Sequence, residues 1–518
     1  MNRSNNLSKI KSVELWDVII IGGGASGLGS AIESASRGYK TLLLEKYDFA
    51  KGTSSRSTKL IHGGVRYLQN GDISLVIEAL KERGILRKNA PHLVKDLSFV
   101  IPSYDWWTSP FYGIGLKIYD MMAGDLGIGP STFLDKNEIE NLIPNVKKNG
   151  LKGGVIYYDG QFDDSRMAIS LAQTAENHGG VVLNYIEVIN IIKSSDNTVS
   201  GVEIKDSFSK AKYQIKSKVV INATGVFSDS IMLMDDPKSP RMIQPSQGVH
   251  VVIDKKFLNS RHAIMVPHTS DGRVLFAVPW QNYVILGTTD TKVNEAKPEP
   301  RALSDEIDFI ISNAGEYMVS KPLKKDIKSV FVGLRPLAVS DDKNESTKEI
   351  SRHHKIKIST SGLISILGGK WTTYRKIGED AISSALLVGG LAYSKTITEN
   401  LPIHGYNKNP DFDDPLHVYG ADIKKIIKIT SDPSGNRSLS KKLNITKHQI
   451  LWAIQNEMAL TLEDVLARRT RCLFLDVFET EKLIDDVLEI MSKALNQNQN
   501  WKRDQKLSFL TLTKKYKI

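Results

Sequence analysis

One run near the N-terminus leaves little choice in how this part of the chain folds: DVIIIGGGASG, residues 17–27. A short, apolar, β-branched block without polar alternation reads as a parallel strand covered on both faces. Glycines end it. Residues 25–37 then carry apolar and small side chains at helical spacing up to Gly38, a good left-handed terminator, and residues 41–44 form a second strand. Within this βαβ unit Gly22, Gly24 and Gly27 match G-x-G-x-x-G, and Glu45 lies 21 residues beyond Gly24. Gly22 suits a tight turn, Gly24 lets backbone approach a pyrophosphate, Gly27 lets helix and strand pack closely, and Glu45 suits ribose hydroxyls. Amides at the helix start favour the negative charge. The unit reads as a dinucleotide site.

At 518 residues the chain needs more than one core. Its 41% hydrophobic and 25% charged residues exclude a disordered chain, a collagen and a polytopic membrane protein. A single cysteine, Cys472, leaves no disulfide and no thiolate cluster for zinc or iron–sulfur, so no metal is expected and a reducing compartment is. The net charge of +11 draws anions, whether nucleic acid, anionic lipid or a phosphorylated substrate. Neither a secretory leader nor a bilayer-spanning run is expected from the sequence.

Further along, the pattern predicts an amphipathic helix over 73–89, a helix over 165–178, antiparallel strands up to 222, a β-rich block over 243–291 and a helix over 304–316. The aromatic, glycine-rich stretch 97–129 shows too little regularity for an assignment, and the pattern beyond residue 401 is helical. Two more glycine turns follow strand-like segments, INATG at 221–225 and LGGKWTT at 367–373. A nucleotide-binding unit that returns to its sheet so late encloses a long, extended FAD better than an NAD.

The runs DVIIIGGGASGLG, GTSSRSTKLIHGGVRYL, INATGVFSD, GLRPL and LGGKWTTYR together resemble the FAD-dependent glycerol-3-phosphate dehydrogenases of the D-amino-acid-oxidase-like flavoprotein superfamily; the helical tail, with ALTLEDVLARRTR, is similar too. The resemblance implies an α/β fold: a discontinuous Rossmann-type FAD-binding domain (14–95, 163–229 and 330–395), an antiparallel β-rich substrate domain (96–162 and 230–329) and a C-terminal helical domain (400–518). It also implies oxidation of sn-glycerol 3-phosphate to dihydroxyacetone phosphate, with hydride passing from C2 to FAD and electrons to a membrane quinone.

That reaction needs cations for a phosphate, a proton acceptor for the C2 hydroxyl and a dry pocket against the flavin. Arg66, Arg335 and Lys370, each beside a glycine turn or in GLRPL, resemble substrate-contacting positions of the family; Arg352 is a further candidate. His250, in the alternating strand SQGVHVVI, is the chosen base or hydroxyl orienter, because an imidazole can take a proton at neutral pH. The competing role is a histidine half-buried in a sheet. Tyr67 suits a substrate hydrogen bond, and Thr372 suits a helix cap, a flavin contact or both. Thr53, Ser54, Ser55, Lys59, Leu60 and His62 are expected to line a loop over the cofactor, joined by Ala223, Thr224, Gly225, Gly333, Gly368, Gly369 and Lys370. KLIHGG resembles the non-covalent dehydrogenases, so the FAD is expected to dissociate.

The stretch 104–122, with Trp106, Trp107, Phe111, Tyr112, Ile114, Leu116, Ile118, Met121 and Met122, suits a membrane interface or a packed cover over the pocket. Lys502, Arg503, Lys506, Lys514, Lys515 and Lys517 suit either surface attraction or a solvated tail. No calcium loop of the D-x-D-x-D-G type is present. The expected setting is peripheral, on the cytoplasmic face of an anionic membrane, with quinone as partner; a homodimer is compatible with this and nucleic acid is not expected. Two alternatives stay open: an oxygen-reducing glycerophosphate, amine or hydroxy-acid oxidase of the same superfamily, and a non-catalytic FAD-carrying protein that binds nucleic acid or a partner.

Overall fold

A computed structural model describes residues 1–64, 72–267, 269–339, 354–430 and 437–518. Strand Trp16–Ile21 pairs in parallel with Thr41–Leu44 on one side and with Lys212–Asn222 on the other. Val181–Leu183 extends the sheet beyond Thr41–Leu44, Ile364–Leu367 beyond Lys212–Asn222, and Lys355–Ile358 closes that edge antiparallel. Side chains alternate across a strand, so Val18 and Ile20 enter one core and Ile19 and Ile21 another. The first core is closed by helices Ala25–Ser36, Asp164–Asn177 and Tyr374–Gly389, through Leu28, Ala31, Leu171, Ile377 and Ala381. The second is closed by the antiparallel strands Ile186–Lys193 and Val199–Asp206, through Val188, Val202 and Ile204. Both faces are covered, which is why the strand carries no polar residue between Val18 and Ile21.

Among the described residues the second sheet has ten strands and is antiparallel except where Ala263–Val266 runs beside Val94–Ser103. Strand Ile243–Asp254, which lies between Ile327–Ala338 and Tyr283–Gly287, turns Val249, Val251 and Ile253 into a core with Ile307, Ile310 and Ala314 of helix Ser304–Glu316. The alternate positions Ser246, Gly248 and His250 face the other way. Leu60–Ile61 and Ile327–Ala338 belong to this sheet as well, although the boundaries read from the sequence put them with the dinucleotide unit. Pairing along Ile243–Asp254 sets Arg335 opposite Ser246, and Phe331 opposite His250.

The C-terminal helices pack on this sheet. Trp280, Tyr283, Ile285 and Phe331 share a core with Leu466, Leu473, Phe474, Val487, Leu488 and Phe509. Residues 97–129, unassigned from sequence, form the end of strand Val94–Ser103 and helix Thr108–Ala123. This helix is apolar on two sides, which blurs the usual polar and apolar alternation: Tyr112, Leu116 and Tyr119 are buried, while Phe111, Ile114, Ile118 and Met121 are exposed.

Candidate active site

The end of strand Trp16–Ile21 opens the site. Gly22 has φ +113°, and a Cβ there would lie 2.6 Å from the Ala223 carbonyl oxygen. A Cβ on Gly27 would lie 1.9 Å from the Gly22 carbonyl oxygen, so only glycine lets the helix start this close to the strand end. The Ala223 amide donates to Ile21 O at 2.9 Å, which sets Ala223, Thr224 and Gly225 beside the glycine turn. Glu45 accepts from the Gly23 amide at 2.6 Å and the Tyr47 amide at 2.8 Å. Burial lifts its carboxyl above the ordinary range, and those two amides oppose the lift.

Around this turn lies a cleft of about 330 Å³, lined by Gly22, Gly24, Glu45, Thr53, Ser54, Ala223, Thr224 and Gly225. A second cavity, about 220 Å³, is lined by Arg56, Thr58, Leu60, His62, Gly248, His250, Gly333, Arg335 and Thr372. Thr53, Gly368, Gly369, Lys370 and Trp371 line both, so the two join there. The cleft suits an extended dinucleotide. The start of helix Ala25–Ser36 has no side-chain bond from its own cap residue, Gly24; the Ala25 amide donates instead to Ser54 Oγ at 3.0 Å. Helix dipole and amides thus face the cleft where a pyrophosphate would be stabilised.

His250 is buried in the wall of the second cavity, its ring stacked on Phe331 at 4.8 Å and 14°. Its Nε2 lies 2.9 Å from Thr58 Oγ1. Burial, with the cations of Lys59 and Arg335 nearby, holds this imidazole well below its usual pKa, so it is neutral at pH 7. Arg335 points into the same cavity: Nη2 donates to Thr289 O at 3.1 Å and Thr288 Oγ1 at 3.3 Å, and Nη1 lies 3.4 Å from Asp290 Oδ1. Lys370 follows two left-handed glycines, Gly368 at φ +77° and Gly369 at φ +98°, which swing the chain across the junction of the cavities. The next residue, Trp371, is pinned by a bond from its Nε1 to Ser54 O at 2.9 Å. Thr372 Oγ1 lies 3.4 Å from the His62 amide. Behind that amide, Gly63 N donates to Tyr119 Oη at 2.8 Å, and Tyr119 donates to Asp159, the partner of Arg83.

Three of the expected cofactor contacts lie beneath the surface of the cavities. Gly27 packs on Gly22, Ser55 is buried, and the Lys59 ammonium is enclosed, donating to Asp164 at 2.7 Å and to the Ser55 and Ser57 carbonyls at 3.0 Å each. Lys59 is therefore committed to the core instead of the cofactor; burial and the charge of Arg471 push it down to about 8 against the pull of Asp164. Arg66, Tyr67 and Arg352 lie outside the described residues. Sequence reasoning missed Thr58, Arg56 and Trp371. Thr58 and Arg56 stand in the quoted TSSRSTKL run, yet the partner that gives Thr58 its role is 192 residues away. Arg56 is spoken for: it bonds Glu299 at 2.6 Å and Val332 O at 3.2 Å, so its charge is offset before any ligand arrives.

Residues 17–375 match the model of the FAD dependent oxidoreductase family, and residues 383–506 that of the C-terminal domain of alpha-glycerophosphate oxidase. Mitochondrial glycerol-3-phosphate dehydrogenase of Macaca fascicularis is 37% identical over 97% of this chain and 74% of its own length. The Schizosaccharomyces pombe protein of the same name is 36% identical over 95% of this chain and 86% of its own. A crystal structure of glycerol-3-phosphate dehydrogenase from Bacillus halodurans, complexed with FAD, superposes with a TM-score of 0.80 at 27% identity, covering 99% of this chain and 97% of that one. Similarity this high, running through the glycine turns that shape the cleft and on into the C-terminal helices, shows that the chain belongs to the FAD-dependent glycerol-3-phosphate dehydrogenase family.

Proposed function

We propose that the second cavity takes sn-glycerol 3-phosphate and that its oxidation at C2 yields dihydroxyacetone phosphate. The observation that carries this is the meeting of three features: the cations Arg335 and Lys370, a neutral imidazole at His250, and the cofactor cleft, which opens between them at Gly368 and Gly369. FAD, held without a covalent bond by the glycine turns, Glu45, Ser54 and the 223–225 turn, supplies a hydride acceptor. Arg335 offers a planar fork and Lys370 a compact charge to a phosphate near −2. Arg56, which also lines the cavity, is already paired to Glu299 at 2.6 Å, whereas the Arg335 guanidinium lies 3.4 Å from Asp290. As the C2 hydrogen leaves with its electron pair, the hydroxyl becomes acidic, and neutral His250, reached directly or through the Thr58 hydroxyl, takes the proton. Walls of Leu60, Gly248, Gly333 and Trp371 limit water around the reacting carbon.

The proposed acceptor is a quinone in an anionic membrane. Trp107, Phe111, Ile114, Ile118 and Met121 recur at helical spacing on one face, with Trp106 beside them, and all are exposed. Lys152 lies over the Trp106 ring at 5.3 Å, and Lys117 over Phe133 at 5.9 Å, a pairing of aromatic and cation suited to a headgroup layer. Among the described residues no helix is long and apolar enough to cross a membrane, so contact would be peripheral. The C-terminal tail is a poorer candidate for this contact, since Lys502, Lys506 and Lys517 are paired with Glu489, Asp485 and Glu481. The name of the C-terminal family model favours a second reading, an oxidase that reduces oxygen.

An anaerobic absorbance spectrum before and after adding sn-glycerol 3-phosphate tests the substrate. Bleaching of the flavin band near ~450 nm is expected; an oxidised flavin that ignores the substrate refutes the assignment. Reoxidation by a soluble quinone analogue faster than by dissolved oxygen supports the dehydrogenase, and the reverse order supports the oxidase.

A further inference from the structure

We propose that Arg471, from the C-terminal helical unit, is a positioning residue for the oxidation: it fixes both supports of the His250 imidazole, the 53–59 segment and Phe331. The inference rests on the reading of His250 as proton acceptor.

Arg471 lies within the fold at 2% exposure, its backbone in the left-handed region at φ +64°. Its guanidinium donates to Ser55 O at 2.8 Å, Asp164 Oδ1 at 3.1 Å and Ala467 O at 3.1 Å. Asp164 in turn accepts from the Ser57 amide at 3.0 Å, Ser57 Oγ at 2.7 Å and Lys59 Nζ at 2.7 Å. Thr58 sits between the two residues so held, and its hydroxyl meets His250 Nε2 at 2.9 Å. A second route leads to the same ring. The guanidinium stacks over Phe474 at 4.3 Å, Phe474 packs on Phe331 at 5.1 Å, and Phe331 stacks on His250 at 4.8 Å. One side chain therefore bears on the hydrogen bond at the edge of the imidazole and on the aromatic ring at its face. Arginine suits this place because its planar fork serves several acceptors at once while its flat face, which an ammonium lacks, stacks on Phe474. In this reading the C-terminal helices help set the geometry of a reaction whose other named residues all come from the first 375 positions.

The test is the rate constant of flavin reduction by sn-glycerol 3-phosphate, measured anaerobically by stopped flow, with its pH profile, in R471M, R471K, F474L, H250N and R166M. R166M is the control for lost stability: Arg166 is equally buried, but it pairs with Glu457 and faces Tyr419. A misplacement near 1 Å costs on the order of 100-fold, so R471M should slow reduction by about 30- to 100-fold and shift the acid limb of the pH profile. Substrate KM and flavin per chain should stay near wild type. R471K should recover part of the rate, and F474L should lose about ten-fold. R166M should lose melting temperature without change in rate or pH profile. Wild-type reduction in R471M overturns the proposal, as does a parallel fall of rate, flavin and stability in R471M and R166M. If R471M does not fold, wild-type rates and pH profiles in both R471K and F474L overturn it instead. A wild-type rate in H250N refutes the proton-acceptor reading itself, whereas a slow H250N beside a normal R471M refutes this inference alone.

Discussion

Replacing Arg335 by alanine tests the substrate site most directly. The guanidinium now makes bonds of 3.1–3.4 Å to Thr289 O, Thr288 Oγ1 and Asp290, longer than the ~2.7–2.9 Å of a good charge-assisted bond. A phosphate in the cavity offers shorter bonds and a double negative charge. A hydrogen bond to a charged group contributes about 1.5–3 kcal/mol, so R335A should lower kcat/KM for sn-glycerol 3-phosphate by about 10- to 150-fold. The loss should fall mainly on KM, because the phosphate contact is made in the ground state and in the transition state alike. R335K keeps the charge and loses the fork, and should lie between the two. Glycerol, which has no phosphate, supplies the internal comparison: its slow turnover should hardly change, so the preference for the phosphorylated substrate collapses. Flavin per chain should remain at the wild-type ratio, since Arg335 lines the second cavity and not the cofactor cleft. The reasoning is refuted if flavin and activity fall together, or if the preference for the phosphorylated substrate survives.

Three further outcomes are expected. In G27V a side chain would meet the Gly22 carbonyl, 1.9 Å from the new Cβ, so the protein should purify without flavin, as read from its absorbance ratio; a full complement would refute the close-packing argument. For pH, burial and the nearby cations lower the His250 pKa in the fold, so kcat/KM should stay level down to about pH 6.5 and its acid limb should lie below the ordinary histidine value. The unfolded chain binds that proton below about 6.5 and the fold does not, so this residue's contribution to stability is lost as pH falls through about 6.5. An acid limb above pH 7 would contradict the assignment. Changing Trp106, Trp107 and Phe111 to serine should abolish binding to phosphatidylglycerol vesicles in a flotation assay and leave dye-coupled oxidation intact; undiminished binding would rule out this face as the contact.

Local order was legible wherever one stretch of chain carried both the pattern and its cause. The turn at Gly22–Gly27 is such a place, because strand, glycines, helix and Glu45 fall within thirty residues or so and each limits the next. Helices Ile73–Asn89 and Ser304–Glu316 appear where the apolar spacing places them. Helix Thr108–Ala123 was hidden for a physical reason: with apolar side chains on both its buried and its exposed side, it lacks the contrast on which periodicity depends.

By itself the sequence determined the dinucleotide turn, the discontinuous return to the first sheet and the candidates His250, Arg335 and Lys370. Only the tertiary structure decided which charges face the cavity. Arg56, Lys59 and Arg335 are all basic residues within a few positions of a glycine or serine in the sequence, and nothing local tells them apart. Folding pairs Arg56 with Glu299 at 2.6 Å, encloses Lys59 against Asp164 and sets Arg335 in the cavity wall 3.4 Å from Asp290. Those partners lie 243, 105 and 45 residues away. Burial and charge pairing depend on distances in space, and such distances exist only once the strands have found their register.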